Sequence, residues 1–209
     1  MKKASRKARY VVIACEGYTE QSYFKELKKR EKKRGVEVKF FCVEGEQKPI
    51  AFLEKAWAFY YENACDFREL NKEKMEIHED DTIWCIYDVD NKTAGDVTLF
   101  EGYASQIGIE VVRSDPSFEL WFYLHFADVQ IHEKYSQDAM EKQLKLKWRD
   151  YKKADSSGAT MGYLDLLSST EILAIDRAKN LRRKHEEAAS LPTERPRTYV
   201  DIIVEKMKG

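Results

Sequence analysis

Tyr10-Val11-Val12-Ile13-Ala14-Cys15-Glu16-Gly17-Tyr18-Thr19-Glu20 decides the fold, because a short apolar run stops there on a carboxylate and a glycine. The run has no polar alternation and is too short for a helix of its own, so it reads as a strand buried on both faces. Glu16 then stands at the strand's carboxyl tip. Gly17 permits a tight turn, and Thr19 is placed to cap the helix in which Tyr23, Phe24 and Leu27 recur. Glu20 falls in the first turn of that helix, where the dipole favours an anion. Ligands of open α/β sheets bind outside the carboxyl ends of the strands, so Glu16 is a first candidate for chemistry.

Outward from this stretch the pattern repeats. A basic run over residues 28–34 and then Gly35 end the first helix, and Val36, Val38, Phe40 and Cys42 alternate as a second strand closed by Glu44-Gly45. Pro49 opens a helix with Ile50, Leu53, Trp57, Tyr60 and Ala64 on one face. After a charged connection over 68–81, the uniformly apolar run 82–87 is a third strand that ends on Asp88-Val89-Asp90. A weak helix over 96–106 leads to a fourth strand at 109–113, and Ser114-Asp115-Pro116-Ser117 opens an aromatic-rich helix over 118–126. Strands alternating with helices predict an α/β fold: a mainly parallel sheet of about four strands, flanked by helices. Beyond Ser136 no strand pattern is evident, and 137–147, 161–167, 169–189 and 198–208 read as helices. This predicts a catalytic α/β core over 1–130 and a C-terminal helical annex over 131–209 packed on it.

Composition narrows the class. The formal net charge of −1 conceals a charged fraction of 35%, so any affinity for nucleic acid must come from clustering rather than from overall charge. The four cysteines, Cys15, Cys42, Cys65 and Cys85, are scattered and form no C-x-x-C pair. Buried, reduced thiols of a cytoplasmic protein fit better than disulfides or a zinc site. The basic start (Lys2, Lys3, Arg6, Lys7, Arg9) is not followed by a signal-peptide pattern, since the apolar run is cut short at Glu16. No stretch is long enough to span a membrane.

If the two acid-tipped strands are neighbours, Glu16, Asp88 and Asp90 meet in one crevice. Like charges so placed need a cation, and an all-oxygen set suits Mg²⁺ or Mn²⁺ rather than zinc. A lone D-x-D is a weak signal because strand-end turns favour Asp anyway; its combination with a strand ending in Glu-Gly is more specific. His125, among Trp121, Phe122, Leu124 and Phe126, reads as a core histidine rather than a ligand. Lys145, Lys147, Arg149, Lys152 and Lys153, interleaved with Trp148 and Tyr151, form a nucleic-acid-binding candidate that weighs evenly against a plain solvated helix face.

The motifs Glu16-Gly17 and Asp88-Val89-Asp90 resemble the Toprim domain of topoisomerases, primases and the overcoming-lysogenization-defect nucleases. More closely, Cys15-Glu16-Gly17-Tyr18-Thr19-Glu20 with Tyr23-Phe24, Tyr87-Asp88-Val89-Asp90, Ser114-Asp115-Pro116-Ser117-Phe118-Glu119-Leu120-Trp121 with His125-Phe126, and Thr198-Tyr199-Val200 resemble the RloB-like family. Asp115 departs from the family pattern, where Asn is expected. The resemblance implies a Toprim-like fold and a metal-dependent nuclease of bacterial anti-phage defence, acting on DNA or on RNA such as tRNA. It also implies an ATPase partner of the RloA type. It makes Glu16 a metal ligand or general base and Asp88 and Asp90 metal ligands, with Glu119 and Glu20 as candidates for a second ion. Lys152 or Lys153 would stabilise transition-state charge if the annex folds over the crevice.

Rival readings are a D-x-D phosphatase with Asp88 as nucleophile, or a metal-dependent nucleotidyl or glycosyl transferase; both leave Glu16 idle, and Thr93 stands one residue late for the phosphatase. A non-catalytic subunit that binds nucleic acid or the ATPase uses the same residues without cutting. A homo-oligomer is compatible with all of these.

Overall fold

The structure is a computed structural model that describes residues 9–31, 36–43, 49–64, 76–90, 92–133, 135–157, 159, 161–189 and 196–208. The expected turns at Gly35 and Glu44-Gly45, most of the basic N-terminal start and Cys65 lie outside the described residues. The sheet has five strands in the order β2-β1-β3-β4-β5. They are β1 (Arg9–Cys15), β2 (Val36–Cys42), β3 (Thr82–Asp88), β4 (Glu110–Asp115) and β5 (Arg197–Thr198). The first four are parallel, and β5 pairs antiparallel with β4, Ser114 opposite Thr198. The α/β architecture expected from the alternating pattern is therefore present, with one strand more than the sequence showed. β5 overturns the expectation that no strand lies beyond Ser136. Two residues are too short to carry a periodic signal, and their pairing depends on a partner some 80 positions away rather than on their own pattern.

β1 and β3 are buried on both faces, as continuous apolar strands of a parallel sheet should be. Ile13, Cys15, Trp84 and Ile86 point into one core with Tyr23, Phe24 and Leu27 of α1 (Tyr18–Glu31). Val12, Ala14, Ile83 and Cys85 point into the other, with Leu53, Trp57 and Tyr60 of α2 (Pro49–Ala64) and Phe100 of α3 (Ala94–Gln106). Period-two alternation thus feeds two helical layers. Thr93 caps α3 through a reciprocal box with Asp96, which gives this residue an ordinary structural role. Cys15 and Cys85 are buried free thiols, as expected, whereas Cys42 on β2 is free but only partly buried, because β2 is the edge strand of the sheet.

The aromatic segment forms the short helix α4 (Glu119–Leu124), every residue of which is buried. Around it pack α5 (Gln137–Lys147), α6 (Tyr163–Leu167), α7 (Glu171–Glu187) and α8 (Val200–Lys208), on the same core as α1. Glu26 of α1 accepts hydrogen bonds from the backbone N–H of Gly162 (2.9 Å) and Leu164 (3.0 Å), so a helix of the core satisfies the open N-terminus of α6. His125 is a core histidine, as expected: its Nδ1 lies 3.1 Å from the Leu167 carbonyl, and burial pulls its pKa down to about 4. Trp148 and Tyr151 pack against Phe122 and Tyr163 at ring separations of 5.8 to 6.3 Å, which makes them core packing rather than a base-stacking platform. Among the described residues no helix is long and apolar enough to cross a membrane.

Asp201 of α8 is fully buried and makes a two-pronged ion pair with Arg182 of α7 at 2.6 and 2.7 Å. Arg182 also donates to the Thr198 carbonyl and lies 5.0 Å from the Tyr199 ring centre, so this pair fixes β5 at the sheet edge. Removing one partner of a buried pair leaves the other charge uncompensated. Asp201→Ala should therefore destabilise the protein by about 3–5 kcal/mol in chemical denaturation followed by circular dichroism; a loss below ~1 kcal/mol would show that solvent screens the pair.

Candidate active site

β1 and β3 are adjacent, and their parallel register brings their carboxyl tips level: Cys15 pairs with Ile86, and the Glu16 N–H donates to the Ile86 carbonyl at 3.1 Å. Glu16 and Asp88 therefore meet, as the sequence predicts. The Asp88 backbone N–H donates to Glu16 Oε2 at 3.1 Å, tying the first tip to the second. Glu20 rises from the first turn of α1 directly over the Glu16-Gly17 turn. A Cβ at position 17 would lie 2.5 Å from Glu20 Oε2, so the glycine is required for the close approach of that carboxylate. Thr19 does not cap α1 as expected: it lies inside the helix, and its hydroxyl accepts the Ala154 N–H at 3.2 Å. This hydrogen bond docks the chain after α5 beside the strand tips.

Glu119, at the start of α4, completes the group. Its Oε2 accepts the Ser117 hydroxyl at 2.6 Å and its Oε1 accepts the Tyr151 hydroxyl at 2.8 Å, while Lys153 Nζ lies 3.3 Å from Oε1. Glu16, Gly17, Glu20, Asp88, Glu119, Gln137 and Lys153 line one cleft of about 250 Å³ at the carboxyl edge of the sheet. Two larger clefts, near Trp84 and near Tyr199, hold no comparable gathering of acids.

The sequence-predicted site residues thus separate. Glu16, Glu20, Asp88, Glu119 and Lys153 come together. Asp90 sits in the turn after β3 with a positive φ of 49° and turns its carboxylate toward the Gln137 side-chain amide, 3.2 to 3.3 Å away; it does not line the cleft. Lys152 is exposed, and its carbonyl accepts the Tyr163 hydroxyl. Lys145 pairs with Glu141, and Lys147 and Arg149 are exposed along the end of α5 and the turn after it. Two residues that contact these acids are not site candidates from the sequence. Lys92 reaches Glu16 by way of the turn after β3 and belongs to no motif, and Tyr151, noted only as an aromatic within the basic stretch, reaches Glu119 from some 30 residues further on.

Electrostatics mark the cleft. Burial, then the charges of Glu119 and Glu16, push the Glu20 carboxyl up to about 7. Burial, then Glu20, Glu119 and Glu16, hold Asp88 well above the usual carboxylate range. Burial opposes the charge of Lys153, but Glu119 and Glu141 outweigh it and raise its pKa. The buried Asp88 Oδ1 has no hydrogen-bond partner among the described residues. An orphaned acid oxygen amid three further carboxylates is a donor set that fits a hard divalent cation. Among the described residues, however, no three acids, imidazoles or thiols converge tightly enough to enclose an ion as they stand, because Glu16 is drawn to Lys92 and Glu119 to Ser117, Tyr151 and Lys153.

A mainly parallel α/β sheet with acids clustered at the carboxyl tips of adjacent strands defines the class of protein. The model of the RloB-like protein family matches residues 11–207, and this chain belongs to that family. No curated protein and no solved structure matches it.

The raised Glu20 pKa has a consequence for stability. Its folded value, about 7, exceeds the ordinary 4.5, so the folded state binds this proton more tightly than the unfolded state. Stability from this group is full below about pH 4.5 and is lost as pH rises through about 7. In metal-free protein, Glu20→Gln should flatten the fall in melting temperature between those limits. An unchanged slope in the variant would show that Glu20 is not the titrating group.

Proposed function

We propose that the chain is a divalent-metal-dependent nuclease, with the cleft between β1, β3, α1 and α4 as its active site. The observation that carries this reading is the set of four carboxylates, two with strongly raised pKa, gathered with Lys153 at the carboxyl edge of the sheet. Mutually repelling, partly desolvated acids are costly to maintain, and that cost is a mark of function. Glu16, Asp88, Glu20 and Glu119 would hold Mg²⁺ or Mn²⁺, and the ion would supply Lewis-acid polarisation of a phosphodiester and a lowered pKa for attacking water. Glu20, over the Glu16-Gly17 turn, is suited by position to accept that water's proton. Lys153 reaches the cleft with its ammonium still charged and is suited to stabilise charge on the phosphoryl oxygens. Ser117 and Tyr151 fix the Glu119 carboxylate.

The acidic cleft repels a polyanion, so a cationic flank must deliver the substrate. Lys147, Arg149 and Lys152 are exposed close to Lys153 in sequence, and they supply that flank. The sequence resemblance extends the reading to anti-phage defence in the cytoplasm, with DNA or RNA such as tRNA as substrate and an RloA-type ATPase as partner. A second reading, a subunit that binds without cutting, is favoured by one observation: the acids do not converge on a point as they stand.

The test is incubation of the purified protein, with and without its partner ATPase, with DNA and with tRNA in Mg²⁺ or Mn²⁺. Cleavage should appear and fall at least about 100-fold in Glu16→Gln and in Asp88→Asn, which remove charge from the cation site. Both variants should fold; metal-free Asp88→Asn should melt at or above the parent because repulsion is relieved, whereas in Glu16→Gln that relief is offset by loss of the ion pair with Lys92. Cleavage that survives in both variants places the chemistry elsewhere; binding without cleavage under every condition favours the second reading. Lys147→Glu with Lys152→Glu should weaken binding to every sequence and reduce the salt slope by about one for each phosphate no longer neutralised. An unchanged slope would leave this face merely solvated.

A further inference from the structure

Lys92 belongs to no motif read from the sequence, yet it makes the most direct ionic contact with the first strand tip. Its Nζ lies 3.1 and 3.4 Å from the two Glu16 oxygens and 2.7 Å from the Asp88 main-chain carbonyl, and its side chain is only 20% exposed. The turn after β3 sets this position, since the Lys92 N–H donates to the Val89 carbonyl. Lys153 serves Glu119 differently, because it has a second acid, Glu141 at 3.2 Å, on which to rest.

We propose that Lys92 is an intramolecular counter-cation: it occupies Glu16 while the cleft holds no metal, and a divalent ion must displace it in order to bind. The inference rests on the metal-dependent reading above and concerns what sets the affinity of that site. A compact dication seated between Glu16 and Asp88 would stand within a few ångströms of the Lys92 ammonium, where repulsion between the two is strong in a partly desolvated cleft. The two cations therefore exclude each other at Glu16. A lysine is suited to this exchange, because its charge sits on a flexible four-carbon stem that can swing outward, and a fifth of the side chain already meets solvent. Lys92 also accounts for the failure of the acids to converge. Glu16 is held toward Lys92 and the Asp88 amide, and the buried Asp88 Oδ1 finds no hydrogen-bond partner among the described residues.

The arrangement makes metal affinity a difference between two ion pairs. Removing the internal one should tighten the external one while leaving the metal-free protein less stable. A purely structural lysine would give only the second effect.

The experiment titrates chelator-stripped full-length protein with MnCl₂ in a calorimeter and measures melting temperatures with and without the ion. Lys92→Met, and Lys92→Gln as a second uncharged variant should the first fold poorly, should bind Mn²⁺ roughly two- to fivefold more tightly than the parent. That is the order expected for removing one partly screened ion pair. Both should melt lower without metal and gain more from it. Lys92→Arg, which keeps the charge, should stay near the parent. Unchanged or weaker Mn²⁺ binding in both uncharged variants overturns the counter-cation role. If the parent binds Mn²⁺ and Glu16→Gln abolishes that binding, such a result leaves the metal-dependent reading standing. A parent that binds no Mn²⁺ at all overturns both.

Discussion

Mutual repulsion among Glu16, Glu20, Asp88 and Glu119 is the constraint to which the rest of the site responds. Two carboxylates about 4 Å apart repel by roughly 4 kcal/mol at the effective dielectric typical of a protein surface, and burial raises that cost. The fold meets it by several means. Lys92 and Lys153 bring positive charge to Glu16 and Glu119, and the Asp88 amide, the Ser117 hydroxyl and the Tyr151 hydroxyl donate hydrogen bonds to the same two carboxylates. Glu20 and Asp88, whose carboxylates make no such ion pair among the described residues, respond by retaining their protons to higher pH.

These compensations come from parts of the chain far apart in sequence. β1 and β3 supply two acids because they are neighbours in the sheet. The segment after α5 supplies Tyr151 and Lys153, and it is held in place by Thr19 receiving the Ala154 N–H and by Glu26 capping α6. α4 supplies Glu119 from a helix whose aromatic residues are locked between α1 and the C-terminal helices. The helical segment is therefore part of the cleft wall, and loosening its packing against α1 would withdraw Lys153 from Glu119.

Much of this is legible in the sequence. The apolar runs before Glu16 and Asp88 announce doubly buried strands, and their acidic tips announce the site, because local pattern and burial coincide there. Glu20 and Glu119 are legible as first-turn acids. β5 is not, since a two-residue strand has no periodicity, and Thr19 has the composition of a cap while its actual partner is the Ala154 amide, 135 positions away. Asp90 shares a motif with Asp88, yet it sits in the turn after β3 with a positive φ, its carboxylate beside Gln137 rather than among the acids that line the cleft. Lys92 and Tyr151 cannot be found from spacing, because what selects them is the charge they face in three dimensions. The stretch of basic and aromatic residues around Lys145 to Lys153 divides by chemistry: its aromatics enter the core, and of its cations only Lys153 reaches the acids.

The central claim is that these acids form a divalent cation site. The most direct measurement is anomalous scattering at the manganese edge from crystals of the full chain grown with MnCl₂. The account predicts a peak in the cleft with carboxylate oxygens of Glu16 and Asp88 within about 2.0–2.6 Å of the ion, and Lys92 moved off Glu16. A cleft without a peak at saturating Mn²⁺, with Lys92 still on Glu16, would contradict it.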